Sequence, residues 1–270
     1  MQFFEKLKQR QQHSLLCIGL DPDFEQMPEK WPQNEAGIYE FCRRIVDATS
    51  DFAAAFKPQM AYFSALGFER ALYDLIAYIH AQYPHIPVIL DGKRGDIADT
   101  AKQYAKEAFE RFEADAATVN AYMGYDSLQP WLDYTDNGIF ILCRTSNAGG
   151  ADLQNLNANG KAIFEHVADL AQKSPTPCGL VVGATFTNEI ERVRQIAPNL
   201  PFLMPGVGHQ GANLEQALKK SVLNKENPAV LIHSSRAILY AGCDSKTFEE
   251  AARNKAQETF LAIQNTLKNI

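Results

Sequence analysis

Eight short runs of branched or small apolar residues recur along the chain: LLCIGLD (15–21), AAFKPQM (54–60), VILDGK (88–93), ATVNAYM (117–123), IFILCRTS (139–146), GLVVGAT (179–185), FLMPGVG (202–208) and VLIHSSR (230–236). Each is short and continuously apolar at its centre, the pattern of a strand buried on both faces. Between them lie stripes of helical period. In 101–112, Ala101, Tyr104, Ala105, Ala108, Phe109 and Phe112 share one face while Lys102, Lys106, Glu107 and Glu110 lie elsewhere. Similar stripes run through Ile38, Phe41, Cys42 and Ile45, through Leu72, Leu75, Ile76 and Ile79, and through Ile190, Val193 and Ile196. Strands alternating with helices imply a parallel sheet, and eight is the number that closes one into a barrel. The expectation is an α/β chain forming a single (β/α)8 TIM barrel over 1–270, with no domain boundary. The Gly/Asn-rich stretch 147–160 reads as a long loop. Thr247 and Glu250 have capping-box spacing for a C-terminal helix that packs outside the barrel near the N-terminal segment.

Composition narrows the function classes. With 26 basic against 32 acidic residues and a net charge of −6, nothing attracts nucleic acid or anionic membrane in general, so a bound anion must be held locally. No stretch has the apolar length of a membrane span, and MQFFEKLKQRQQ lacks the apolar core and cleavage site of a signal peptide. Cys17, Cys42, Cys143, Cys178 and Cys243 are odd in number, with no CxxC pair, as in a reducing compartment. The six histidines show neither HxxxH nor HxH spacing, so no protein-built zinc site is expected. The expectation is a cytoplasmic protein working without metal or cofactor.

The polar residues collect where the strands end: Asp21 and Asp23, Lys57 and Gln59, Asp91 and Lys93, Asn120, Thr145 with Ser146 and Asn147, Thr185, and Ser234 with Ser235 and Arg236. The seventh run ends instead in PGVGHQG. In a barrel of this type, active sites are built at that rim. Strand alternation sends Asp91 and Lys93 to the same side, beside Lys57 on the neighbouring strand. Alternating signs offset one another's desolvation and favour a protonated lysine, suited to donating a proton rather than acting as a neutral nucleophile. The blander alternatives are a solvated turn, with Asp96 or Asp99 capping the helix that starts near Thr100, and a glycine turn beside a structural arginine at 206–236. The glycines at 206, 208 and 211, Gln210, and Arg236 at the start of a short helix match the phosphate site such barrels form after strands seven and eight. The same glycines permit residues 206–214 to act as a lid.

LDPD (20–23), FKPQ (56–59), DGKRGDI (91–97), TSN (145–147), VVGAT (181–185), PGVGHQG (205–211) and SSR (234–236), in order and over nearly the whole chain, resemble the orotidine 5'-phosphate decarboxylase family in its longer bacterial form. The resemblance implies cofactor-free decarboxylation of orotidine 5'-phosphate to uridine 5'-phosphate in pyrimidine synthesis. It casts Lys57, Asp91, Lys93 and Asp96 as a charged tetrad with Lys93 as proton donor. It assigns Asp21 and Lys57 to ribose hydroxyls, Ser146 to the pyrimidine edge, Gln210 to base and phosphate, and Arg236, within the SSR motif that also holds Ser235, to the phosphate. It further implies a homodimer in which Asp96, Ile97 and Thr100 reach the neighbouring subunit's site. Two positions depart from the family pattern: His209, where alanine is usual, and Ala148, where proline often follows TSN. The alternatives are a magnesium-dependent sugar-phosphate decarboxylase or synthase sharing the DxKxxD core, and a non-catalytic nucleotide-phosphate binder.

Overall fold

The computed structural model describes residues 2–207, 213–242 and 247–270. The eight apolar runs are eight strands: β1 (Leu16–Leu20), β2 (Ala53–Pro58), β3 (Ile89–Arg94), β4 (Ala116–Val119), β5 (Gly138–Arg144), β6 (Gly179–Val182), β7 (Phe202–Met204) and β8 (Val230–Ser234). All pair in parallel, each with its sequence neighbours, and β1 pairs with β8 through Leu16 opposite Ile232. The β2–β3 seam closes through the bridges Phe56 to Val88 and Gln59 to Asp91, which makes a nearly closed barrel with helices between its strands.

Two layers of apolar contact hold it. Outward-facing strand residues such as Ile18, Phe56, Ile141 and Ile232 pack under the helices in one large cluster. Inside the barrel, Cys17, Ala55, Ile89, Ala116, Phe140, Val181, Leu203 and Leu231, one from each strand, form a second cluster together with Phe3 and Leu7. The helix Phe3–Gln11 supplies those last two side chains and seals the N-terminal mouth of the barrel. Phe3 meets Phe140 edge-on at 6.0 Å, and a β-carbon at Gly138 would lie 2.2 Å from the Phe3 ring, so β5 has to begin with glycine for the plug to seat.

The local expectations need several corrections. The stretch 147–160 is not a structureless loop: it folds as a 3-10 turn (Ala148–Gly150), a short helix (Ala151–Gln154) and a tight hairpin pairing Asn157–Ala158 with Lys161–Ala162. Asn159 and Gly160 have φ of 53° and 82°, the left-handed pair that closes a two-residue hairpin. The helix after β3 begins at Ala98, before Thr100, with Ile97 at its cap position and no side-chain cap. Neither acid caps it: Asp96 accepts the N–H of Ile97 at 2.8 Å and Asp99 pairs with Lys102. Past Lys106 that helix widens into a π turn, Glu107–Arg111, so its apolar stripe spans two helix types. The C-terminal helix, Phe248–Lys268, starts next to Thr247 as expected, yet the Thr247 side chain makes no cap bond and the capping box does not form. It does lie near the N-terminal segment, with Gln264 donating to the His13 carbonyl at 3.1 Å. Among the described residues, no helix is long and apolar enough to cross a membrane.

Candidate active site

Two residues beyond the inner apolar layer, strand alternation brings a second set of side chains inward. These are Lys57, Asp91, Thr118, Leu142, Pro205 and His233, and all of them line one cavity of about 350 Å3 at the C-terminal rim. Asp21, Gln59, Lys93, Thr145, Ser146 and Asn147 complete its walls, with Val181 and Leu203 contributing apolar floor. The change from apolar to charged across one pleat places polar groups directly on a dry core.

Asp91 is the centre of the charged cluster. Its two carboxylate oxygens accept from Lys57 Nζ at 2.5 Å and from Lys93 Nζ at 2.6 Å, and the Thr118 hydroxyl donates to it at 2.8 Å. An isolated carboxylate at this depth would cost several kcal/mol to desolvate. Burial alone pushes Asp91 upward, but the charges and hydrogen bonds of the two lysines outweigh it and hold the carboxyl well below its ordinary range. For Lys57, burial pulls the ammonium down, yet Asp91 and Asp21 together carry it above the usual lysine value. Lys57 is buried, whereas the Lys93 side chain is 45% exposed and extends into the cavity. The result is a fixed cation facing an apolar floor, where a developing negative charge is stabilised more strongly than in water.

A second cavity of about 180 Å3 opens beside the first, lined by Asp21, Ser146, Pro205–Val207, His233 and the run from Ser234 to Ala237. Asp21, Ser146, Pro205 and His233 belong to both. Ser235 donates to Asp21 Oδ2 at 2.6 Å, while Asp21 Oδ1 is buried with no partner among the described residues. The Tyr240 hydroxyl donates to the Asp21 carbonyl and accepts from the Asp23 N–H, pinning the LDPD turn. Arg236 is the first residue of a single-turn helix, Arg236–Leu239. Ser146 is held from below: Gln154 bonds both the backbone and hydroxyl of Thr145, and buried Arg144 joins Gln154 to Glu189. A β-carbon at Gly183 would come within 2.7 Å of the Ser146 backbone, so only glycine lets that loop settle.

The structure thus gathers Lys57, Asp91, Lys93, Asp21, Ser146, Ser235 and Arg236 in two joined cavities. It does not bring Asp96, Ile97 or Thr100 to either one. Thr100 is exposed, Ile97 is 53% exposed, and Asp96 is engaged with its own backbone neighbour. Of the other strand-end residues, Asn120 accepts from the N–H of Tyr122, and Asp23 accepts from Glu25 and Gln26, so both serve their own turns. Gln210 and His209 lie outside the described residues, as does Cys243. Among the described residues, no three His, Cys, Asp or Glu side chains gather closely enough to hold a metal ion.

Sequence reasoning missed Thr118 and His233. Both carry the same signal, a polar residue two positions beyond an inward apolar one: Ala116 then Thr118, Leu231 then His233. The His233 Nε2 is buried without a partner among the described residues, and burial first, then the charge of Lys57, holds the imidazole well below its ordinary pKa.

Residues 14–251 match the model of the orotidine 5'-phosphate decarboxylase / HUMPS family. The chain is 51% identical over 268 residues to the orotidine 5'-phosphate decarboxylase of Janthinobacterium sp. (strain Marseille), covering 97% of this chain and 98% of that protein. It is 52% identical over 264 residues to the Ralstonia nicotianae protein of the same name, covering 96% and 97%. The solved structure of Leishmania donovani OMP decarboxylase superposes with a TM-score of 0.84 at 38% identity, over 99% of both chains.

Proposed function

The chain belongs to the orotidine 5'-phosphate decarboxylase family, and from that premise we propose how its two cavities divide the work of the reaction. It is a carboxy-lyase that converts orotidine 5'-phosphate to uridine 5'-phosphate and carbon dioxide. In the proposed arrangement the pyrimidine carboxylate enters the larger cavity. Ser146 meets the pyrimidine edge, Asp21 and Lys57 take the ribose hydroxyls, and Ser235, Arg236 and Gln210 serve the phosphate end. Residues 1–270 act as one catalytic domain.

When the bond from the ring to the carboxyl carbon breaks, its electron pair stays on the ring carbon in an in-plane orbital that the π system cannot delocalise. Lys93 is the cation at hand. Its ammonium stabilises the developing carbanion electrostatically and then transfers a proton to it, leaving a neutral amine that solvent reprotonates once product departs. Asp91, shared between Lys57 and Lys93, orients both. The observation that carries this reading is the paired cluster of Lys57, Asp91 and Lys93 seated on the apolar floor of Leu142, Val181 and Leu203, next to a second, adjoining cavity lined by Arg236. The remote phosphate provides binding energy that fixes the reacting end, so Arg236 contributes to rate as well as to affinity.

The reading extends to a homodimer acting in cytoplasmic pyrimidine synthesis on a small-molecule substrate, with neither nucleic acid nor membrane as a partner and with no cofactor or metal. Asp96, Ile97 and Thr100 then serve the neighbouring subunit's site. Their outward position supports this, together with the exposure of Ile97, Tyr122 (77%) and Met123 (42%) on the same rim sector. The test of the reaction is the ultraviolet absorbance change on mixing purified protein with orotidine 5'-phosphate in the presence of a chelator. Decarboxylation is the expected result; dependence on added magnesium, or no turnover by folded protein, would overturn the reading. For the shared site, mixing inactive Lys93→Ala and Asp96→Ala subunits is expected to restore part of the activity, and no rescue after confirmed subunit exchange refutes it.

A further inference from the structure

We propose that Thr118 is a positioning residue for Lys93, its hydroxyl locking the direction in which the ammonium is presented. The inference rests on the decarboxylase reading and concerns how the proton donor is aimed.

It starts from an irregularity in the barrel. β3 pairs with β4 at Ile89 opposite Ala116 and Leu90 opposite Ala117, then loses register and rejoins only at Arg94 opposite Val119. Four steps along β3 are therefore matched by two along β4, and Asp91, Gly92 and Lys93 bulge from the ladder. Bulges bend a strand and re-aim its side chains, and they recur next to active sites. Within this one Lys93 has φ of 46°, the left-handed region that a residue with a β-carbon adopts only where its surroundings impose it.

The Lys93 N–H has no strand partner in the bulge. It donates instead to Thr118 Oγ1 at 2.9 Å, and the same hydroxyl passes its own hydrogen to Asp91 Oδ1 at 2.8 Å. Asp91 Oδ1 in turn accepts from Lys93 Nζ at 2.6 Å. A closed ring of contacts runs from the Lys93 backbone through Thr118 and Asp91 to the Lys93 ammonium. Both ends of a long, half-exposed side chain are thereby referred to one buried hydroxyl, since Thr118 is only 1% exposed. A hydroxyl both accepts and donates, so it can complete this ring, whereas an alkyl group of the same shape cannot. A threonine on a buried strand is ordinarily packing, chosen for its β-branch. Here both bonds of the hydroxyl go to Lys93 and Asp91.

The test compares wild type with Thr118→Val, which keeps the shape and removes the hydroxyl, and with Thr118→Ser, which keeps the hydroxyl. For the valine variant, kcat is expected to fall roughly 10- to 100-fold, the loss that follows when a reacting group is misplaced by a fraction of an ångström to an ångström. KM for orotidine 5'-phosphate and competitive inhibition by uridine 5'-phosphate should stay within about 3-fold, and the serine variant should recover most of kcat. If the valine variant does not fold, Thr118→Ala takes its place with the same expectation. A hydroxyl-free variant within 2-fold of wild type would overturn the proposal. So would one in which KM and product affinity deteriorate together with kcat while serine is equally impaired, because that pattern marks a packing role. Failure of wild type itself to release carbon dioxide would instead refute the decarboxylase reading, so the two failures are distinguishable.

Discussion

The rim has two sectors that treat their polar groups in opposite ways. Across β2, β3 and β4, the acceptor and donors at the heart of the site are already mated: Asp91 takes hydrogen bonds from Lys57, Lys93 and Thr118. Across β8 and β1, two buried polar atoms, Asp21 Oδ1 and His233 Nε2, lack partners among the described residues, and the single helical turn at Arg236 faces a small cavity. The first sector has its geometry before any ligand arrives, as electrostatic preorganisation requires, since a charge that must reorganise during the reaction stabilises the transition state less. Under the proposed function, a ligand seated in the second sector supplies the missing groups, and the cost of burying them is recovered on binding. The paired cluster and the unpaired atoms thus sit on adjoining strands, β2 beside β1, and line one cavity together through Asp21 and His233.

That contrast can be broken by kinetics. The largest effect is expected from Lys93→Ala, which should lower kcat by about 10⁴-fold while leaving the binding of uridine 5'-phosphate within a few-fold of wild type. Comparable losses in both quantities, measured by steady-state kinetics and product inhibition, would mean that the sectors are not separate. Next comes Arg236→Ala, for which loss of a forked, charge-assisted contact should reduce kcat/KM on the whole substrate by roughly 100- to 1000-fold. A value near wild type would remove the phosphate assignment and the division built on it.

The smallest effect concerns stability. His233 is held neutral in the fold, well below its ordinary pKa, because it is buried and lies near Lys57, whereas in the unfolded chain it takes up a proton below about pH 6.5. Below that pH the unfolded state binds more protons, so this residue destabilises the fold progressively as pH falls, by at most about 1.4 kcal/mol per unit. His233→Asn should therefore flatten the decline of Tm between pH 6.5 and 5 relative to wild type. Parallel curves for the two proteins would show that the open side of the rim places no such burden on the histidine.

Some of this architecture could be read before any coordinates. Strand and helix periodicity determined the barrel, because continuous apolar runs of strand length are stable only when both faces are covered, and eight of them in alternation with helices have one closed arrangement. Alternation put Asp91 on the inward side with Lys57, but Lys93 meets it through a bulge, where the ladder loses register and Lys93 turns to φ 46°, and strand period alone does not determine that. The sequence was a poorer guide to the turns: the Asn-Gly hairpin at 159–160 and the uncapped start of the C-terminal helix depend on local backbone angles that composition only suggests. What tertiary structure alone decided is which strand-end groups meet. Asp23, Asn120 and Asp96 look as eligible on paper as Asp21 and Lys57, yet each satisfies its own turn, because a short polar side chain next to a free N–H bonds locally before it reaches across a cavity. Thr118 and His233 entered the site through the converse cause. They stand on β4 and β8, far apart in sequence and not adjacent in the sheet, and only barrel closure, which sets the height of every inward residue against its neighbours, brings them level with Lys57, Asp91 and Lys93.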